Sequence, residues 1–307
     1  MRYLARRALS SFFAIVGVTI LVFFLIHLIP GDPVDNLLGE GADVADKAAM
    51  RACMDLDQSL MVQFGRFVRS VLDGTLGHTC PDQKRTVAQL IGAALPSTVL
   101  LAISGMMVAI CLALPLGIVS ALRRSSAIDL FATTVSLAGV SIPSMWMGPM
   151  LLLVFYVRLG WLPGPIESRS AAALILPSFV LGSHLLAMLA RMTRSSLVDV
   201  LSEDYIRTAY AKGLSESRVV FRHALRNSLV PVITVAGMQF GSLLSGAVVI
   251  EKIFGRAGLG TLLLDGILQR DFRVVQGCTL VIAGIYVMVN LLVDILYSAA
   301  DPRVRLQ

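Results

Sequence analysis

Six stretches of about 20 mostly apolar residues govern what this chain can become. They lie at roughly 9–29, 96–122, 130–157, 173–191, 229–250 and 275–297, and about 20 such residues are what a helix needs to cross a bilayer. Leu9 to Ile29 holds no charged side chain and only His27 as an ionisable group. Two prolines in Pro30-Gly31-Asp32-Pro33 then stop the helix. Arg2, Arg6 and Arg7 precede this run in the manner of a cleaved signal. The run is too long for one, and no Ala-x-Ala-like cleavage site follows it, so it reads as a retained anchor. Composition agrees. Charged residues make up 15 %, against roughly 25 % in a soluble domain, and mean hydropathy is +0.78. Glycine and proline show no period, and four cysteines are too few for a stapled mini-fold.

The net charge of +6 would point to nucleic acid in a soluble protein. Here the side of the membrane matters first. With the N-terminus in the cytoplasm, the inner segments are 1–8, 123–128, 192–228 and 298–307. Together with Arg191 they carry 14 of the 26 Lys and Arg, whereas the short outer loops carry six. The long outer loop 30–95 carries the other six, but long loops cross largely regardless of charge. The positive excess marks the inner face, and nucleic acid is not needed to explain it. Loop 30–95 holds helical stretches such as Ser59 to Leu72, where Leu60, Phe64, Phe67, Val68 and Val71 share a face and Gly74 can end the helix. It is too small for a catalytic domain and reads as a cap on the outer face.

Loop 192–228 is 37 residues long and patterned. Ser202, Glu203 and Asp204 supply an N-terminal capping signal. Tyr205 to Lys212 is a short helical run that Gly213 ends. Ser215 can cap a second helix with Val219, Val220 and Ala224 on one face. The expectation is two short helices joined at Gly213, presenting Tyr205, Ile206, Ala209 and Tyr210. An amphipathic surface helix that merely satisfies positive-inside topology would also fit. Small and aromatic residues around a tight glycine turn suit a knob entering another protein's groove.

At this point the residues carry a resemblance. Asp204-Tyr-Ile-Arg-Thr-Ala-Tyr-Ala-Lys-Gly213, followed by His223-Ala-Leu225-Arg-Asn-Ser-Leu-Val-Pro231, is similar to the coupling-loop motif of ABC-importer permeases of the dipeptide/oligopeptide/nickel class. Arg207, Thr208 and Ala209 stand at the Glu-Ala-Ala positions of the general pattern. Gly213 stands at its glycine, and His223 and Leu225 at its Ile and Leu. Arg207 and Arg226 depart from that pattern in the way the peptide class tolerates. The resemblance extends through Pro30-Gly-Asp-Pro33, Leu56-Asp-Gln58, Gly139-Val-Ser-Ile-Pro143, Leu159-Gly-Trp-Leu-Pro163, Glu251-Lys-Ile-Phe254, Gly258-Leu-Gly260 and Asp301-Pro-Arg-Val-Arg305. The stretch Thr193 to Gly213 is especially similar to glutathione-import permeases.

The resemblance implies an all-α polytopic membrane protein of the type I ABC importer transmembrane-domain fold, with six transmembrane helices and both termini cytoplasmic. Its parts would be an N-terminal end and first span (1–29), an external cap (30–95), a type-1 transmembrane domain (96–297) containing coupling loop 192–228, and a cytoplasmic tail (298–307). It would sit in the inner membrane and work with a second, similar permease chain, two ATP-binding subunits and an external substrate-binding protein. ATP and magnesium would be bound by the ATPase partners. No Gly-x4-Gly-Lys-Ser/Thr loop occurs in this chain, so no cofactor of its own is expected. Asp204, Tyr205, Ile206, Arg207, Thr208, Ala209, Lys212, Gly213 and Leu225 would form the ATPase-coupling loop.

Polar or kinking residues inside spans are candidates for the translocation pathway: Ser141, Pro143 and Ser144, then Ser183 and His184, then Gln239, Ser242 and Ser245 at three-residue spacing. Interhelical packing or hydrogen bonding would account for each of them equally simply. Asp294 near the end of the last span needs a basic group or a helix terminus. Cys111 and Cys278 read as small packing residues, and Cys53 and Cys80 in the outer loop as candidates for a disulfide. Their spacing offers no four-ligand metal site. Nickel-chelate import is an alternative within the same class. An ion-coupled secondary transporter would need paired broken helices or intramembrane acids, and a membrane enzyme a catalytic constellation. None of these features is evident in the sequence.

Overall fold

The computed structural model describes residues 2–27, 33–39, 41–80, 85–165 and 170–300. Among the described residues the regular secondary structure is helical, apart from one isolated antiparallel bridge between His78 and Thr86. The helices are α1 (Arg2–His27), α2 (Pro33–Leu38), α3 (Val44–Cys53), α4 (Leu60–Leu72), α5 (Val87–Leu122), α6 (Ala127–Ser141), α7 (Ser144–Leu151), α8 (Ile175–Leu201), α9 (Asp204–Ala211), α10 (Glu216–Arg218), α11 (Leu225–Ile253), α12 (Leu259–Leu268) and α13 (Phe272–Ala300). Among the described residues four helical stretches are long and apolar enough to cross a membrane: Val87–Leu122, Ala171–Leu201, Glu216–Ile253 and Phe272–Ile295. The other two expected spans fall on shorter apolar helices, Leu9–Phe24 within α1 and the pair α6 and α7. Apolar side chains such as Phe12, Phe13, Leu130, Phe131 and Met288 face outward, as they do where lipid is the solvent. The motifs Pro30-Gly-Asp-Pro33 and Asp301-Pro-Arg-Val-Arg305 lie wholly or mostly outside the described residues.

The chain divides into two compact units. One contains α1 to α4, the first turns of α5, α12 and most of α13. Its core is Val87, Ile91 and Ala94 of α5 against Leu259 of α12 and Val274 and Cys278 of α13. Contact is close: a Cβ on Gly277 would lie 2.5 Å from a Val87 methyl. The first backbone N–H of α12, on Leu259, donates to Thr98 Oγ1 at 2.8 Å, satisfying a donor the helix itself leaves unpaired. Phe23 of α1 meets Phe64 and Phe67 of α4 with ring centroids 5.1 and 5.8 Å apart. The helix expected over Ser59 to Leu72 is α4, with Ser59 at its N-cap position, Asp73 at its C-cap and Gly74 at φ +75°.

The other unit is a bundle of α6, α8 and α11 with the remainder of α5. Glycines let these helices approach. A Cβ on Gly182 of α8 would lie 2.5 Å from the Gly105 carbonyl oxygen of α5, and one on Gly139 of α6 would lie 3.0 Å from the Ser183 carbonyl oxygen of α8. Ser178 Oγ donates to Ser104 Oγ at 2.7 Å. The expected span 130–157 is not one helix. It breaks at Ile142 (φ −93°, ψ +118°) and Pro143, restarts as α7, then widens into a π-helical turn over Leu152–Arg158. Proline forces the residue before it out of helical geometry.

Two other boundaries differ from the sequence reading. Helix α5 begins at Val87, nine residues before the expected 96, and its 36 residues reach about 54 Å at 1.5 Å per residue, well beyond a hydrocarbon core. The 37-residue loop 192–228 is mostly spanning helix carried onward. Helix α8 runs to Leu201, and helix resumes at Glu216 and continues, through a π-helical turn at Val219–Ala224, into α11. Thr193 and Leu197 are fully buried, which keeps α8 packed past the point where its sequence turns polar.

Candidate functional site

Helix α9 and the turn after it occupy the connector between α8 and α11. Glu203 takes the N-cap position with extended geometry and makes no side-chain cap bond, while Ser202 closes α8 and donates to the Asp199 carbonyl at 2.7 Å. The expected cap was thus one residue early. Asp204 in the first turn complements the positive end of the helix dipole. At the other end Gly213 has φ +80°, and its N–H donates to the Tyr210 carbonyl at 2.9 Å. Only glycine takes that left-handed backbone without cost.

The two faces of α9 differ in character. Ile206 and Ala209 are buried and belong to a cluster with Ala121, Leu197, Val219 and Ala224, against which Leu214 also packs. They are therefore not presented outward, contrary to the sequence expectation. Position 206 lies three residues before 209, so both sit on the inward face of a short helix. Asp204, Tyr205, Arg207, Thr208, Tyr210 and Lys212 are exposed. Arg207 and Asp204 pair at 3.5 Å in solvent, which contributes little stability. Thr208 Oγ1 donates to the Asp204 carbonyl at 3.0 Å. Leu225, expected as part of the coupling loop, is half-buried, whereas Val219, Val220 and Ala224 beside it are buried. The tie that sequence reading missed is Asn227, whose amide donates to the Tyr205 hydroxyl at 2.8 Å. The 22-residue separation leaves no local pattern to read.

A second tie went unseen. Arg194 of α8 makes a two-pronged pair with Asp129 of α6, Nε to Oδ1 at 2.8 Å and Nη2 to Oδ2 at 2.7 Å. Asp129 also accepts from the Ser120 hydroxyl and, at 3.0 Å, from the Ser125 N–H. The planar guanidinium matches a carboxylate in this way. The signal was available: an arginine in an apolar helix must find a partner.

The candidate pathway residues fall into two groups. Ser183 is buried, donating to the Val180 carbonyl at 2.8 Å and lying 3.7 Å from Met147 Sδ, so it serves packing. His184, Ser242 and Ser245 are exposed, as are Ser141 and Pro143 at the α6 break, while Ser144 is half-buried. Gln239 on α11 lies 3.4 Å from Met188 Sδ on α8, and Ser242 Oγ donates to the Gln239 carbonyl at 2.7 Å within α11.

In the segment between α1 and α5, Cys53 and Cys80 are joined by a disulfide. Arg273 at the start of α13 donates to the Cys53 carbonyl at 2.7 Å and pairs with Asp55 at 2.8 Å. Arg66 of α4 holds the other oxygen of Asp55. Asp271 caps α13, accepting from the Val274 N–H at 3.2 Å. Burial pushes its carboxyl above the usual range, against the pull of backbone N–H groups and Arg273. Cys111 is exposed and Cys278 buried, both as free thiols.

Comparison with known proteins decides what this arrangement belongs to. The family described as "Binding-protein-dependent transport system inner membrane component" matches residues 113–306, and its N-terminal counterpart among such membrane components matches 1–102. The chain belongs to this family. It is a multi-pass inner-membrane transport subunit. The glutathione transport system permease protein GsiC of Salmonella paratyphi A is 41 % identical over 305 residues, covering 99 % of both chains. That of Pectobacterium atrosepticum is 42 % identical with the same coverage. A solved inward-facing structure of the MetNI methionine ABC transporter matches this transport component with a TM-score of 0.58 at 16 % identity, over 69 % of this chain and 97 % of that one. A second inward-facing form gives 0.56 at 15 % identity. At that identity the likeness carries the fold alone, which is that of an ABC importer transmembrane domain.

Proposed function

We propose that this chain is one of two permease subunits of an ATP-driven importer of short peptides of the glutathione type, moving its cargo inward by alternating access. In this reading it has six spans, cytoplasmic termini and no ATPase site of its own. A second permease completes the pathway, two partner ATPases bind ATP and magnesium, and an external binding protein delivers the cargo. The cap 30–95 lies outside, and the transmembrane domain 96–297 carries the coupling loop. The observation that carries the reading is the two-faced α9. Ile206 and Ala209 anchor it to the bundle, Gly213 turns the chain, and the exposed face from Tyr205 to Lys212 is left to enter a groove on an ATPase. Closure of the ATPases on ATP would shift α9, and with it α8 and α11, between two arrangements. The polar side chains of His184, Gln239, Ser242 and Ser245 would line the path, and the break at Pro143 would let α6 and α7 move separately.

Full-length relatives named as glutathione permeases support the cargo class. The test is uptake of radiolabelled glutathione by proteoliposomes holding the whole complex and its binding protein. ATP-dependent uptake that requires the binding protein and is abolished by Gly213→Pro is expected. Uptake driven by an ion gradient without ATP, or no glutathione uptake while another solute is pumped, would overturn the mechanism or the cargo respectively.

A further inference from the structure

We infer that the cap and the start of α13 form a binding site for a small carboxylate-bearing molecule of amino-acid to dipeptide size, organised around Arg69 and bordered by Cys80 of the Cys53–Cys80 bridge. The site is a cavity of about 290 Å³ between α4, the segment 73–80 and the start of α13. That volume lies just below the range of ligand pockets, which run from about 300 to 1,000 Å³. Phe67, Leu76 and Met54 provide an apolar floor.

Charge decides the ligand class. Arg66, Arg69 and Arg273 face the cavity together with Asp55, Asp73 and Asp271. All three acids are engaged within the cap. Asp55 takes both Arg66 and Arg273. Asp73 accepts from the Thr75 N–H at 3.0 Å and hydroxyl at 2.7 Å, and Asp271 caps α13. Among the described residues Arg69 makes no direct ion pair, although its charge acts on the nearby Asp73, and it is exposed. Its guanidinium offers five N–H donors and no acceptor, in a fork that fits a carboxylate. His78 and Gln276 line the same cavity and can meet amide groups.

The disulfide belongs to the site. Cys80 forms part of its wall, the Cys53 carbonyl holds Arg273, and the Cys80 N–H binds Asp271. Reduction would free both walls. Every residue in the site belongs to the unit that holds α1 to α4, α12 and most of α13.

The test is calorimetric titration of glycylglycine into the complete transporter in nanodiscs without its binding protein, compared with glycylglycinamide. Saturable binding of glycylglycine is expected, weakened about tenfold or more by loss of the carboxylate or by Arg69→Gln, removed by the cavity-filling Gln276→Trp, and weakened by dithiothreitol. Arg69 is exposed, so its variant decides alone if Gln276→Trp fails to assemble. Absence of saturable binding, or an affinity unchanged in Arg69→Gln, would overturn the proposal. So would a result in which Arg69→Gln weakens only the docking of the binding protein, because the occupant would then be an acidic side chain of that partner.

Discussion

The segment around α9 and the cap around α4 are both built from short helices, yet opposite forces hold them. In the first, Ile206 and Val219 are fully buried in a cluster of aliphatic side chains, and the described polar tie between helices is Tyr205 to Asn227. In the cap, α4 has no buried residue, and a disulfide and a shared Asp55 join its parts. A segment proposed to transmit force is anchored by burial, which resists displacement on every side. A cap with too little apolar surface is stapled instead. The ion pair that fixes α6 to α8 lies between these extremes, since its carboxylate is mostly buried and fully bonded.

The contrast can be broken in four ways. Ile206→Asp places a charge in the aliphatic cluster and should cost about 4 kcal/mol or more, read as lost hydrogen-exchange protection in α9 and lost transport, with the cap unchanged. Replacing Cys53 and Cys80 by serine frees a closure spanning 27 residues and should destabilise the cap by about 3 kcal/mol. Protease sensitivity should rise there and not in α9, and equal loosening of both regions would erase the distinction. Tyr205→Phe removes one partly exposed hydrogen bond and should cost about 0.5–1 kcal/mol, measured as faster exchange at the N-terminal turn of α9.

The smallest effect is that of pH. The Lys47 ammonium holds Asp35 below the usual 3.8, and the Thr75 N–H and hydroxyl do the same for Asp73. Their contribution is complete above about pH 3.8 and is lost as pH falls through their lower folded values. Asp271 has the opposite sign. Burial raises it, so the folded cap gains a proton before the unfolded chain does and gains stability as pH falls through that raised value. Protease resistance of the cap should therefore rise slightly as pH falls through the raised value of Asp271 and fall again under about 3.8. The aliphatic hold on α9 should show neither change.

Much of this was legible in the sequence, for identifiable reasons. The spans announce themselves by length and hydropathy, α4 by its Leu60-Phe64-Phe67-Val71 spacing, and the α9 turn by Gly213, whose φ of +80° is a local property. The orientation of α9 was misread, because which side of an eight-residue helix is buried depends on Leu197 and Val219 rather than on α9 itself. The true extent of α8 was hidden for the same reason: tertiary packing of Thr193 and Leu197 outweighs the polar residues beside them. Long-range pairs, Arg194 with Asp129 and Arg273 with Asp55, left only the hint that isolated charges need partners. The cysteine pair was visible because compartment and number restrict the choices.

The central claim is that the outward face of α9 meets an ATPase while the inward face is locked in the bundle. Site-directed crosslinking tests it directly, in a chain whose free Cys111 and Cys278 are replaced by serine and whose complex is intact. Tyr210→Cys should form a covalent adduct with an ATPase subunit bearing engineered groove cysteines, changing in yield with ATP, while Ile206→Cys should form none. Equal crosslinking from both positions, or an adduct from Ile206→Cys alone, would contradict the account.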